Sequence, residues 1–351
     1  MDPFAIVKAL SLAAISFVIA IAWTPLLTHF LYKYKLGKQI RDEASTPVFS
    51  GLHAKKSGTP VMGGLIIWVT VLVLALVFLV LAIFWPESFW GRLSFLTRSQ
   101  TLLPLGALVA SAIVGVIDDL WNVRRIGPHG GGLSIKHRLI IYTAISAIGA
   151  WWFYVKLDWD LLHIPFVGDF NIGPWYILIF IFAIVATAFS VNETDGLDGL
   201  AGGTLLTSFG AYAAIALIEG RTELAAFCAA IMGALLAFLW FNINPARFFM
   251  GDTGAMSLGV TLGIMAMLTN TLFLLPIIGF IFVIESLSVI VQLTSKKLRH
   301  KKIFHSTPIH HHFEAIGWPE PKIVMRFWVI SMVTGAVGVA LFVLDKIVTG
   351  A

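Results

Sequence analysis

Long apolar runs without charged residues are the feature of this sequence that most constrains its fold. A membrane-spanning helix needs about 20 consecutive, mainly apolar residues. Only 12% of the chain is charged, against about 25% in soluble domains, so the chain cannot build the surface of a soluble enzyme or a secreted disulfide scaffold. We predict an all-α polytopic integral membrane protein, with uncharged runs at 9–32, 57–86, 99–117, 139–155, 170–192, 199–218, 224–246 and 327–344, and a run with one charge at 253–295.

The lengths of these runs and the placement of the cations predict the topology. Residues 253–295 suffice for two helices with a break at 269–271, so ten transmembrane helices are predicted within one domain, 1–351. The positive-inside rule places both termini outside the cytoplasm. Cations confined to loops also argue against a nucleic-acid partner, despite the net charge of +5. Of the 24 lysines and arginines, 18 fall in the predicted inner loops and six outside, at Lys8, Arg92, Arg98, Lys156, Arg221 and Lys346.

Two adjacent acids, Asp118 and Asp119, end the third predicted span. The dipole of a helix disfavours anions at its C-terminus, so capping does not explain them. Neighbouring helical residues point about 100° apart, which predicts different roles for the two carboxylates. The alternative is a solvated helix end paired with Arg124 or Arg125.

A second polar string lies between the fifth and sixth spans and contains Asn192, Asp195, Gly196, Leu197 and Asp198. The two aspartates are three residues apart, so one helical turn would put them on the same side. Glycine allows a ligand to approach the backbone closely. Either acid alone is alternatively an N-cap of span six.

A third string links spans seven and eight and contains Asn242, Phe249 and Asp252. Asp252 is alternatively the N-cap of span eight. Residues 251–254 are expected to form an anion cradle, because a helix N-terminus attracts phosphate. With the paired acids of span three, Asp252 would complete a group of carboxylates at one membrane face, and Mg²⁺ prefers carboxylate and phosphate oxygens.

Histidines and a lysine complete the polar set at the inner face. His310, His311 and His312 are consecutive, so they cannot all face one zinc ion on a regular helix. Hydrogen bonds to a phosphate or a polar substrate are the preferred interpretation. Lys56 can neutralise a phosphate as a compact cation, or serve only as an inner-loop lysine. Glu285 is an acid inside a span, hence a functional candidate without an assigned role.

These strings together resemble one family. Residues 308–314, with three histidines, followed by Gly-Trp-Pro-Glu-Pro at 317–321, resemble the phospho-N-acetylmuramoyl-pentapeptide transferases of the polyprenyl-phosphate hexosamine-1-phosphate transferase superfamily. The resemblance extends from residue 55 to 328. It implies Mg²⁺-dependent transfer of phospho-MurNAc-pentapeptide from UDP-MurNAc-pentapeptide to undecaprenyl phosphate at the cytosolic face of the bacterial inner membrane, giving lipid I and UMP.

The resemblance also implies roles for particular residues. Asp252 would bind Mg²⁺, and Asp118 and Asp119 would handle the lipid phosphate, one of them as a base. Nucleoside antibiotics that mimic the donor are expected ligands, and a homodimer is a possible assembly. Substrate binding is expected at Lys56, Asn192, Asp195, Gly196, Leu197, Asp198, Asn242, Phe249, His310, His311 and His312.

The sequence departs from the family pattern at four places, and two other functions compete. Lysines common in the family are replaced by Asn122 and Gly131, with Arg124, Arg125 or Lys136 as substitutes. At a third place Glu193 replaces a common leucine, and at a fourth Ala255 stands where a serine is common. A sister enzyme using UDP-N-acetylglucosamine is disfavoured by the histidine run. A transporter is disfavoured because its polar residues would meet near the bilayer midplane.

Overall fold

The computed structural model describes residues 2–37, 56, 58–128 and 131–349. Three cations used to orient the spans, Lys38, Arg41 and Lys55, lie outside these residues. The described chain is mainly helical. Its helices are α1 (Pro3–Lys33), α2 (Leu65–Phe84), α3 (Phe89–Arg92), α4 (Leu102–Val123), α5 (Ile135–Trp151, extended by a π turn at Trp152–Lys156), α6 (Trp175–Thr194), α7 (Leu200–Ile218), α8 (Thr222–Asn242), α9 (Asp252–Leu268), α10 (Leu275–Ile278, preceded by a 3₁₀ turn at Leu272–Leu274), α11 (Phe280–Arg299), α12 (Ile309–Ala315) and α13 (Glu320–Thr349).

The helices confirm a polytopic membrane protein. Among the described residues, eight helices are long and apolar enough to cross a membrane: α1, α2, α4, α5 with its π turn, α6, α7, α8 and α13. The break predicted at 269–271 does separate α9 from α10 and its 3₁₀ turn. A further break at Gly279 was not predicted, and the segments on either side of it meet at 85°. The count of ten and the orientation stay predictions.

Helix α9 forms the centre of the bundle. It has 17 residues, and every residue from Thr253 to Leu268 is buried. It packs against α4, α6, α7 and α2. Its length of about 26 Å is slightly less than the hydrocarbon core of a bilayer, but a helix enclosed by other helices does not have to match the lipid. Small residues make this close packing possible, as is usual between membrane helices.

A hairpin lies between α5 and α6, close to the end of α13. Strands β1 (Leu161–Ile164) and β2 (Gly168–Asn171) pair antiparallel. His163 uses both ring nitrogens, Nδ1 at 2.8 Å from Asp169 Oδ1 and Nε2 at 2.6 Å from Asp345 Oδ2. Asp345 also accepts a hydrogen bond from the Phe166 amide at 2.6 Å. The hairpin is therefore fastened to α13.

Gly115 is the contact point between α4 and α9. A Cβ atom at this position would collide with the backbone of Asp252 and Thr253. We expect Gly115→Ala to lower the free energy of unfolding by about 1–3 kcal/mol, the usual cost of overpacking. The measurement is the thermal unfolding midpoint in detergent. Gly106→Ala is the matched control, since the same helix leaves open space there; equal midpoints would contradict the prediction.

The hairpin contact predicts a dependence of stability on pH. Burial lowers the pKa of His163, but hydrogen bonds to Asp169 and Asp345 outweigh it, and the net pKa is raised above the usual value. The protonated imidazole therefore stabilises the fold fully below about pH 6.5, the unfolded pKa, and this stabilisation is lost as pH rises through the folded pKa.

We expect the unfolding midpoint of the wild type to exceed that of His163→Gln most below pH 6.5. The difference should shrink as pH rises toward 8.5. Melting curves of both proteins across this range provide the test. A difference that grows with pH would refute the assignment.

Candidate active site

Four helix ends bring a set of charged and polar side chains together. Asp118 and Asp119 lie near the end of α4, Arg138 near the start of α5, Asn192 near the end of α6 and Asp252 at the start of α9. We call these five residues the acid cluster. Asp118 is completely buried and Asp119 nearly so. Asp118 and Asp119 contact different partners, and the different roles predicted for them stay a prediction.

Arg138 lies between the carboxylates of the cluster. Its Nη2 is 2.7 Å from Asp252 Oδ2 and 2.7 Å from Asp118 Oδ2, and Nη1 donates a hydrogen bond to Asn192 Oδ1 at 3.0 Å. The contact with Asp118 is an ion pair, and Oδ2 of this buried carboxylate accepts no hydrogen bond from the described residues. The fork of one guanidinium therefore joins α4, α5, α6 and α9.

Asp119 caps helix α9. Its Oδ1 accepts a hydrogen bond from the Asp252 amide at 3.0 Å, and its Oδ2 accepts one from the Thr253 amide at 3.1 Å. The interpretation of Asp252 as an N-cap is wrong, because Gly251 occupies that position with φ of 73°. The anion cradle expected at 251–254 exists, but the carboxylate of Asp119 fills it.

The loop between α4 and α5 contributes a backbone donor to the cluster, and the start of α5 contributes a cation. The Leu133 amide donates a hydrogen bond to Asp118 Oδ1. Lys136, expected as a substitute for missing lysines, is exposed, and so are Arg124 and Arg125. Arg138 is the cation found among the acids. It was not among the predicted site residues, because it lies 20 positions after Asp118 and belongs to no recognised string.

A second group forms around Lys56. Its Nζ lies 2.7 Å from Asp198 Oδ1 and 2.5 Å from Glu320 Oε1, and 5.8 Å from the centre of the Phe249 ring. Asp198 Oδ2 also accepts a hydrogen bond from Asn244 Nδ2 at 3.0 Å. Lys56 is thus held by two carboxylates. Asn244 and Glu320 were not among the predicted site residues, although the 317–321 string contains Glu320.

Asn242 and Leu197 support this second group from within. Asn242 Oδ1 accepts a hydrogen bond from the Gly199 amide at 2.9 Å, and its Nδ2 donates one to the Phe248 carbonyl at 2.8 Å. Leu197 is buried against α13. Asp198 is not the N-cap of α7, since Gly199 occupies that position with φ of 82°.

The three histidines of α12 have three different partners. His310 is fully buried, with Nδ1 at 2.9 Å from Glu285 Oε2. His311 Nδ1 is 2.6 Å from Glu314 Oε2. His312 Nδ1 accepts a hydrogen bond from the His305 amide at 3.2 Å. As expected from their spacing, they do not converge on one point.

Two acids lie near His310, the fully buried Glu285 and the partly buried Glu193. Glu285 faces Nδ1, and its neighbour Ser286 donates a hydrogen bond to Glu193 Oε2. His310 Nε2 has no hydrogen-bond partner in the described residues and faces Gly196, where a Cβ atom would collide with the imidazole. The contact explains why this position is a glycine. Glu285 was recognised as unusual in the sequence, but its partner lies 25 positions away.

The turn at 195–198 connects all three groups. Asp195 Oδ2 accepts a hydrogen bond from the Gly251 amide at 3.1 Å, next to the acid cluster. Gly196 lies against His310, and Asp198 binds Lys56. The structure therefore brings the sequence-predicted residues of four distant strings into one continuous region.

The acid cluster has the right chemistry for a divalent cation. The described residues contain no group of three or more His, Cys, Asp or Glu side chains arranged as a metal site. However, oxygens of Asp118 and Asp252 converge on one cationic group, and Asp118 Oδ2 is a buried oxygen without a hydrogen bond. Carboxylate oxygens of this kind suit Mg²⁺. These residues fit a Mg²⁺ ion in donor type.

Comparisons with known proteins give the class of this chain. Residues 101–270, which contain α4 to α9 and the acid cluster, match the family described as glycosyl transferase family 4. The chain is 39% identical to the phospho-N-acetylmuramoyl-pentapeptide-transferase of Chloroflexus aggregans, over 95% of this chain and 89% of the relative. It is 37% identical to the enzyme of the same name from Geobacillus thermodenitrificans, over 93% and 95% respectively. The chain belongs to the phospho-N-acetylmuramoyl-pentapeptide-transferase family.

Capping by Asp119 predicts a structural role for this acid. In Asp119→Asn the side-chain oxygen can accept a hydrogen bond from only one of the two backbone amides. The side-chain NH₂ group then faces the other amide, which loses its acceptor. We expect a loss of about 1–3 kcal/mol in unfolding free energy, the cost of a buried unsatisfied donor. Thermal unfolding in detergent is the measurement. Asp158→Asn, an exposed acid in the loop after α5, is the control, and equal stability of the two variants would rule out the cap.

Proposed function

We propose that this chain transfers phospho-MurNAc-pentapeptide from UDP-MurNAc-pentapeptide to undecaprenyl phosphate with Mg²⁺, forming lipid I and UMP. Family membership establishes a membrane transferase of peptidoglycan synthesis. The observation that supports these particular substrates and this site is the 195–198 turn, which joins a carboxylate cluster, a lysine and a buried histidine. An anionic lipid and an anionic nucleotide need such a set of cations and metal-binding oxygens at one face.

The site also supports the ten-span topology. Site residues alternate between helix ends along the chain: the end of α4, the start of α5, the end of α6, the start of α7, the end of α8, and the starts of α9 and α13. They meet in one region, so each intervening helix must cross the bundle once. In this topology α9 and the bent α10–α11 pair count as two further crossings, which agrees with the starts of α9 and α13 lying on the same side. We infer ten crossings in one transferase domain, with the site cytosolic and both termini outside.

The proposed reaction exchanges one phosphoryl bond. An oxygen of undecaprenyl phosphate attacks the β-phosphorus of the donor, and the bond from this phosphorus to the bridging oxygen breaks, so UMP leaves with that oxygen. Asp252 and Asp118 would hold Mg²⁺, which neutralises the pyrophosphate and the departing UMP. Asp119 is a poor candidate for a base, because both of its carboxylate oxygens already accept backbone hydrogen bonds.

The remaining residues would bind the donor. The ammonium of Lys56 would neutralise a phosphate of the donor. The neighbouring ring of Phe249 would contact the nucleobase. His310 presents Nε2, which has no hydrogen-bond partner in the described residues, at Gly196, and Glu285 contacts the other ring nitrogen. Binding of the donor here would orient the pyrophosphate toward the acid cluster. Nucleoside antibiotics that mimic the donor would compete at the same residues.

UMP release by the purified protein tests the proposal. The protein in detergent receives undecaprenyl phosphate and Mg²⁺ with either UDP-MurNAc-pentapeptide or UDP-N-acetylglucosamine, each with an EDTA control. We expect release from the muramoyl donor alone, abolished by EDTA. Release from the second donor would assign the chain to the sister enzymes. No release from either, with folded protein, would refute the proposed reaction.

Asp252→Asn tests the metal assignment. The variant keeps the shape of the side chain but loses its charge, and we expect UMP release to fall at least about 100-fold, because a metal contributes several kcal/mol of charge stabilisation. Thermal unfolding should show that the fold persists. Asp158→Asn should retain wild-type release. Turnover near wild type in Asp252→Asn would disprove the role of Asp252.

A further inference from the structure

Arg138 lies between the two carboxylates that are proposed to hold Mg²⁺. Its Nη2 lies 2.7 Å from one oxygen each of Asp118 and Asp252. The side chain is only 19% exposed. The guanidinium of Arg138 therefore supplies a positive charge to the acid cluster.

The position of Arg138 is fixed rather than incidental. Its second guanidinium nitrogen donates to Asn192 Oδ1, and Asn192 in turn donates from Nδ2 to Asp252 Oδ1. One side of the guanidinium thus meets two carboxylates and the other an amide oxygen. A planar fork with several fixed donors suits this arrangement, and a lysine ammonium would not reproduce it.

The geometry points to competition between Arg138 and Mg²⁺. We propose that Arg138 is a tethered counter-cation that keeps Asp118 and Asp252 together without metal and must withdraw from at least one of them when Mg²⁺ binds. Two cations sharing the same oxygens would repel each other strongly in a buried site. Without either cation, the carboxylates would repel each other. Arg138 is thereby a positioning residue that sets the Mg²⁺ affinity, an inference that rests on the proposed function.

A metal titration without substrates tests this role. The thermal unfolding midpoint of the full chain in detergent is followed against Mg²⁺ concentration at constant ionic strength, for the wild type and Arg138→Gln. Arg138→Gln should unfold at a lower temperature than the wild type without Mg²⁺. The Mg²⁺ concentration that gives half of the rise in its unfolding midpoint should be at least about tenfold lower than for the wild type.

Two further variants make the result decisive. Lys136→Gln removes an exposed cation two residues away and should behave as the wild type. Arg138→Lys keeps the positive charge but loses the planar fork of donors. It should lower the half-saturating Mg²⁺ concentration about two- to threefold. This variant also tests the proposal if Arg138→Gln does not fold. Unchanged or weaker Mg²⁺ binding in the Arg138 variants would overturn the proposal.

The outcomes separate this inference from the proposed function. A wild type that responds to Mg²⁺ and releases UMP, together with Arg138 variants of unchanged Mg²⁺ affinity, refutes only the competition. A wild type and variants that all fail to respond to Mg²⁺ refute the metal site itself, and with it the role of Arg138. UMP release is measured separately, so loss of activity in a variant cannot be mistaken for tighter or weaker metal binding.

Discussion

The carboxylate of Asp119 bound to the N-terminus of α9 is the interaction on which the site depends. Helix α9 is enclosed by the bundle, so water cannot satisfy the free amides of its first turn. Asp119 does so from α4, and the negative charge also complements the helix dipole. This contact fixes the depth of α9 relative to α4. It consequently places Asp252 beside Asp118 and within reach of Arg138.

The rest of the site is built outward from this contact by charge compensation. Five buried or partly buried carboxylates have specific partners: Arg138 for Asp118 and Asp252, Lys56 for Asp198 and Glu320, and His310 for Glu285. Burying a charge without a partner is costly, so these pairs constrain how the helices assemble. In the proposed reaction these charged groups bind the phosphates of a lipid and a nucleotide, a role that offsets the cost of burying them.

Apolar length in the sequence predicted the helices well, and the break after Leu268 was recognisable from three polar residues. The bend at Gly279 was not, because Phe280 and its successors continue the apolar run without a change in composition. Within the site, short strings of unusual residues identified Asp118, Asp252 and the histidines. Their partners were harder to find, since pairing is decided by tertiary packing. Arg138, Asn244 and Glu320 look like ordinary loop or helix-end residues until the bundle is assembled.

Helix α13 is fastened at both ends. Near its start, Glu320 binds Lys56 at the site, and 25 residues later Asp345 binds His163 in the hairpin. These two points are about 37 Å apart along the helix, which is roughly the thickness of the membrane. A slide of α13 by one turn, about 5.4 Å, would break both attachments together. The helix therefore acts as a strut of fixed length that links the Lys56 end of the bundle mechanically to the hairpin end.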